Sequence, residues 1–237
     1  MCSPITGSSD QGAQAWMYWH ARLMVLAWNI LLPLGILIAR FYKVPDLKSW
    51  PRQLDCKRWW RGHIALQSCG IGIMTLGVLM TFDRGVIGTN LALLHHAIGW
   101  CLVSLGWLQV LGGVLRGSKG GPTADILRGD HYDMTGRRIL FEYLHKFVGW
   151  LTVPLIWAAT STGLWMLNAP RWMAVVLAVW WVGLIVCFIW LQSAGYCIDT
   201  YQAIWGPDPA HPGNAREPIG WGVRRLAAPR TRENQGE

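Results

Sequence analysis

Four of the seven histidines recur at one kind of place, just inside the start of an apolar block: His20, His63, His95 and His145. Ionisable groups inside a membrane segment are costly and tend to be functional, and neutral imidazole is a common metal ligand. Consecutive spanning helices run antiparallel, so His20 and His95 share one depth while His63 and His145 share the other. Two imidazole pairs at two depths are what two bis-histidine haem b groups require. Each ligand lies about five residues, or roughly 7 Å, inside its helix, which sets the irons on the order of 15 Å apart across a ~30 Å core.

Helical phase separates His95 from its neighbour His96. At about 100° per residue, Gly99, Gly106 and Gly113 fall about 40°, 20° and 0° from His95, but about −60°, −80° and −100° from His96. A flat macrocycle lying on a helix needs small residues beneath it, so His95 is the expected ligand. Gly70 and Gly77 lie about −20° and −40° from His63, and Gly149 and Gly163 about 40° and 0° from His145. Gly70, Gly99 and Gly149 are therefore expected beside the cofactor. The first helix follows His20 with Met24, Ala27 and Leu31, an apolar face without glycine. His96, His131 and His211 are given no ligand role. Small-residue stripes and lone histidines also serve plain helix packing; four histidines paired by depth favour the haem reading.

The elements that position these residues follow from hydropathy. Charged residues make up 14% of the 237 residues, against about 25% in an ordinary soluble domain, and mean hydropathy is +0.26. Five blocks, at 16–39, 62–82, 88–115, 139–167 and 172–195, reach the roughly 20 helical residues that cross a bilayer. Pro33 and Pro154 sit inside two of them and predict kinks. The fold class is all-α: a polytopic bundle of five transmembrane helices with a four-helix di-haem core. Seventeen tryptophans, many beside the blocks, suit membrane interfaces.

The net charge of +8 is carried in the connections, so it reads as topology and not as a nucleic-acid surface. Segments 40–61, 116–138 and 196–237 hold seven, five and five Lys or Arg, against Arg84 and Arg171 on the other side. The positive-inside rule then places the amino terminus outside and the carboxyl terminus in the cytoplasm. Residues 1–15 form an outer polar segment without a positive leader, so the first block is expected to remain as a span. Residues 16–195 form the membrane domain. Residues 196–237 read as a basic, disordered cytoplasmic tail, with Pro, Arg and Gly concentrated from about 206. Six cysteines occur singly without a C-x-x-C pair, which argues against zinc, thioredoxin-like and covalent haem sites; no lipidation context surrounds Cys2.

The segments WHARLMVLAWNILLPLGILIAR, HIALQ, HHAIGWCLVSLGWLQ and LHKFVGW together resemble the cytochrome b561 family, in its bacterial and DOMON-associated branch, over about residues 16–166. In that family a histidine opens each of four core helices, in H-x-x-x-G form in the third and fourth. His95 with Gly99 and His145 with Gly149 match that form, and Gln109 matches the family's L-Q pair. The resemblance implies ligation by His20 with His95 and by His63 with His145, transmembrane electron transfer, and a homodimer. It also implies a bacterial inner membrane as the location. Ascorbate-reducing members have six helices against the five expected here, and their basic ascorbate-site motifs are not found. Only about 15 residues precede the first span, too few for a DOMON domain.

Bis-histidine iron has no open position, so oxygen activation is not expected. The protein then holds two haems at fixed spacing and sets their potentials. Arg58, Arg61, Arg138 and Lys146 inside, and Arg22 and Arg84 outside, are candidate propionate partners. Three roles stay open: an electron carrier between a cytoplasmic or quinone donor and an outer acceptor (a quinone, small reductant or redox protein), a transmembrane ferric reductase, and a haem-free transporter or scaffold. The last is disfavoured because no charge lies at mid-depth.

Overall fold

The computed structural model describes residues 3–7, 14–82, 84 and 88–227; Cys2 and residues 228–237 lie outside them. Five long helices cross the apolar layer: α1 (Ala15–Phe41), α2 (Arg58–Leu79), α3 (Asn90–Leu115), α5 (Gly136–Met166) and α6 (Arg171–Ser193). Two short helices, α4 (Asp130–Asp133) and α7 (Thr200–Trp205), lie in the connections. The all-helical fold and the five spans agree with the sequence. Thr89 and Thr135 cap α3 and α5, their hydroxyls accepting from the backbone N–H groups of Ala92 and Arg138. Leu76, Leu79, Val114, Phe147, Val179, Val186 and Trp190 are exposed on the outer faces. Such an apolar exterior is stable against lipid and not against water. The chain is an integral membrane protein.

Packing is uneven around the bundle. Helix α1 lies along α2, and α3 lies along α5, while contact between the two pairs is sparse. The sites open between the pairs. Helix α1 contains a π-type segment at Val25–Leu31, just before Pro33. Pro33 has no N–H to offer the Asn29 carbonyl one turn back. Trp180 Nε1 donates to that carbonyl at 2.7 Å. The Asn29 side chain accepts from Trp181 Nε1 at 2.8 Å and donates to Thr160 Oγ1 at 3.1 Å. The backbone group that proline leaves unpaired is thus satisfied from α6. Around Pro154, α5 continues as one helix.

The segment expected to be a disordered tail is folded through residue 227. Proline and arginine there are interspersed with Ile198, Tyr201, Ile204, Trp205 and Ile219, which the local composition concealed and which are all buried. Tyr201, Ile204, Trp205 and Ile219 pack with Met134, while Ile198 and Ala203 pack with Val44 and Trp50. Arg225 pairs with Asp199 at 2.9 Å, and Gln202 exchanges two hydrogen bonds with the Leu226 backbone. The three positively charged connections thus form one cap on the same end of the bundle.

Candidate functional site

His20 on α1 and His95 on α3 face each other with ring centroids 6.4 Å apart and planes at 76°. His63 on α2 and His145 on α5 do the same at 6.2 Å and 79°. Each pair bridges the sparse interface, with one ring from α1/α2 and one from α3/α5. An imidazole nitrogen lies about 1.1 Å from its ring centre and a metal–imidazole bond is about 2 Å long, so two rings sharing one ion on a straight axis stand about 6 Å apart. Both pairs have that spacing.

Three of the four Nδ1 atoms are anchored. His20 Nδ1 lies 3.0 Å from the Gly77 carbonyl of α2, and His63 Nδ1 lies 3.0 Å from the Gly35 carbonyl of α1. A carbonyl can only accept, so both rings carry their proton on Nδ1 and keep the Nε2 lone pair for a ligand. His95 Nδ1 lies 3.0 Å from Thr162 Oγ1, whose own proton is directed to the Ala158 and Ala159 carbonyls. His145 Nδ1 is buried without a partner among the described residues. Close approach makes the anchors feasible: a Cβ on Gly77 would meet Met24 Cε at 2.9 Å, and one on Gly35 would collide with the Gln67 amide.

A cavity of about 960 Å³ surrounds the His63–His145 pair. Gln67 and Gln109 border it and tie the helix pairs internally, donating to the Leu32 and His145 carbonyls at 3.0 and 2.8 Å. Its base is formed by the cap. Arg40, Lys43, Arg116, Arg138 and Lys146 all border it, whereas Arg58 and Arg61 do not. Arg138 and Lys146 both pair with the buried Glu142, at 3.0 and 2.8 Å. Burial pushes the Lys43 ammonium down to about 8, although its Nζ donates to the Ile198 carbonyl at 3.0 Å. Burial, with Arg138 beside it, pushes His131 down to about 3. At the opposite end of the bundle a second cavity is lined by Trp16, Trp19, Met80 and Arg84, and Arg22 lies over the Trp19 ring.

The structure brings His95, and not His96, to His20; the exposed His96 instead accepts from Trp100 Nε1 at 2.8 Å. Gly99 faces open space, and a Cβ on Gly149 would meet only Gln109. Gly70 differs from expectation, since a Cβ there would meet Leu32 at 3.0 Å, so it serves the α1–α2 contact. His131 lies in α4, buried against Tyr201 and Trp205. Sequence reasoning missed Gln67, Thr162 and the Gly35 and Gly77 carbonyls. Gln67 alone had a visible signal, one turn beyond His63.

Among the described residues no cluster of three or more His, Cys, Asp or Glu side chains occurs. Two imidazoles per level instead suit an iron whose remaining ligands come from a macrocycle. Residues 19–117, which include His20, His63 and His95, match the family model described as eukaryotic cytochrome b561. Over that stretch the chain is similar to cytochrome b561. A cytochrome b561, DM13 and DOMON domain-containing protein of Arabidopsis thaliana is 29% identical over 159 residues, covering 67% of this chain and 16% of that protein. A cytochrome b561 and DOMON domain-containing protein of the same plant is 32% identical over 105 residues, 42% of this chain and 20% of its own length. The chain thus spans a fifth or less of these relatives. No solved structure matches it. The matched relatives are plant proteins, so the bacterial location inferred from the sequence finds no support in them.

Proposed function

We propose that this chain is a member of the cytochrome b561 family and carries electrons across the bilayer through two haem b groups, one held by His20 and His95 and the other by His63 and His145. The observation that carries this reading is the pair of imidazole couples at 6.4 and 6.2 Å, each spanning the interface between the two helix pairs. Haem iron, when bound, alternates between ferric and ferrous states and so takes up and releases one electron at a time.

The protein's own work is to hold, orient and insulate. The Gly77 and Gly35 carbonyls and Thr162 Oγ1 fix ring tautomers and raise the basicity of His20, His63 and His95. His145 lacks such an anchor among the described residues, so the two levels are electronically unequal. Arg40, Lys43, Arg116, Arg138 and Lys146 supply positive charge around the His63–His145 cavity, where a haem's propionates would lie. Gly99 and Gly149 leave the helix surface flat beside their histidines.

The His63–His145 level lies on the side of the positively charged cap, which the positive-inside rule assigns to the cytoplasm, with the amino terminus outside. Electrons then pass between a donor on the cytoplasmic or quinone side and an acceptor at the outer face. The test is purification in mild detergent followed by a haem-to-chain ratio, a dithionite-minus-oxidised spectrum and a redox titration. Two haems per chain with two resolved potentials support the proposal. A single haem, or a colourless protein after expression with ample haem supply, overturns it.

A further inference from the structure

Between the two histidine levels lies a closed layer of packed side chains. On α1, Trp28 stands eight residues beyond His20 and seven before Gly35, whose carbonyl marks the His63 level. On α3, Leu102 stands midway between His95 and Gln109, whose amide marks the His145 level. Trp28, Ile71, Met74, Leu102 and Ile156 meet there in one buried cluster. On α2, fourteen residues separate His63 from Gly77, whose carbonyl holds His20, a rise of about 21 Å. An electron moving between levels has to cross this layer.

Trp28 is the one aromatic side chain among the cluster's buried members. Its ring borders the His63–His145 cavity, and a Cβ on Gly106 would come within 3.4 Å of its Cη2. Glycine at 106 therefore leaves room for the indole and for Ile71, whose Cδ1 such a Cβ would meet at 2.9 Å. In a regular helix Trp28 would fall about 80° round from His20. The π-type turns of Val25–Leu31 hold more residues per turn and bring it back toward the His20 face. The hydrogen bonds from Trp180 and Trp181 to Asn29, the next residue, hold that segment in place.

We propose that the Trp28 indole is the bridge over which electrons cross between the His63–His145 and His20–His95 levels, a role that rests on the two-haem reading above. With haem bound at both levels, the single electron given up by the iron at one level would be taken up by the iron at the other. The indole is neither oxidised nor reduced, and no proton moves. Its delocalised orbitals lower the tunnelling barrier relative to a saturated side chain in the same place.

The test uses the full chain with Trp28→Phe, Trp28→Leu and, in the same layer, Met74→Leu. Haem content and both midpoint potentials are measured first, which separates failure of the two-haem reading from failure of the bridge. The internal electron-transfer rate is then followed by flash photolysis and compared at matched driving force. With both haems retained, the rate falls by roughly an order of magnitude in Trp28→Leu, less in Trp28→Phe, and is unchanged in Met74→Leu. As a readout independent of turnover, the protein is labelled with 5-fluorotryptophan. The resonance that Trp28→Phe removes is paramagnetically shifted in the oxidised protein and moves on reduction. An unchanged rate in Trp28→Leu with two haems bound, equal slowing in Met74→Leu, or a Trp28 resonance indifferent to redox state overturns the proposal.

Discussion

Thr162→Val isolates the contribution of one hydrogen bond to one redox level. The Thr162 hydroxyl directs its proton to the Ala158 and Ala159 carbonyls at 2.8 and 3.0 Å, leaving a lone pair for His95 Nδ1–H at 3.0 Å. Valine keeps the shape of threonine and removes the acceptor. The His95 N–H then loses that acceptor and is left with the Ala159 backbone carbonyl beside it, at a cost of up to about 1–3 kcal/mol. Loss of an outer partner of a metal-bound histidine lowers affinity by about 10–100-fold, or about 1.4–2.7 kcal/mol. The two ranges agree, so haem affinity at the His20–His95 level falls by that factor. The His95 ring also becomes less basic, so the ferric state there is less stabilised and the midpoint potential rises. Haem titration into the apoprotein and a redox titration measure both quantities. Thr162→Ser keeps the hydroxyl and the wild-type values. Unchanged affinity and potential in Thr162→Val, or an equal change at both levels, would refute the reasoning.

Gly99→Val places a side chain where no described protein atom lies within 4 Å; apoprotein stability measured by thermal melting holds, while haem loading of the His20–His95 level falls. Gly70→Val meets Leu32 and lowers stability with or without haem. Asn29→Leu leaves Trp181 Nε1 and Thr160 without their partner, at about 1–3 kcal/mol for each unpaired group, read as a lower melting temperature in detergent. Arg40→Gln removes a guanidinium that donates to the Trp221 carbonyl at 2.7 Å and to Gln192 at 2.9 Å, so limited proteolysis cuts within 196–227 sooner. His131 titrates near 3 in the folded cap and near 6.5 when unfolded, so the unfolded chain binds more protons between those values. Cap stability is complete above about 6.5 and is lost progressively as pH falls toward 3; hydrogen exchange of α7 across that range shows the slope, and His131→Phe flattens it.

The spans were legible because their signal is collective: five blocks of about 20 apolar residues leave no other state for the backbone in lipid. The histidine pairing was legible from the same regularity, since alternating helix direction converts sequence position into depth. The choice of His95 over His96 followed from a phase count that the neighbouring glycines made decisive. Gly70 shows where such counting stops, because one phase suits a cofactor and a neighbouring helix equally well, and Leu31 and Leu32 of α1 occupy that face. The cap was hidden because Ile198, Tyr201, Ile204, Trp205 and Ile219 are separated by prolines, glycines and arginines, and their burial depends on Val44, Trp50 and Met134 far away in the chain. The π-type segment was hidden too. Pro33 signals a disturbed helix, but only the partners from α6 determine its form.

Electron paramagnetic resonance on the oxidised protein, comparing wild type with His95→Ala and His63→Ala, addresses the pairing itself. Two low-spin ferric signals are expected in the wild type, with one lost in each variant and the other untouched. Retention of both signals in either variant, or loss of both in each, would contradict imidazole couples that work at two separate depths.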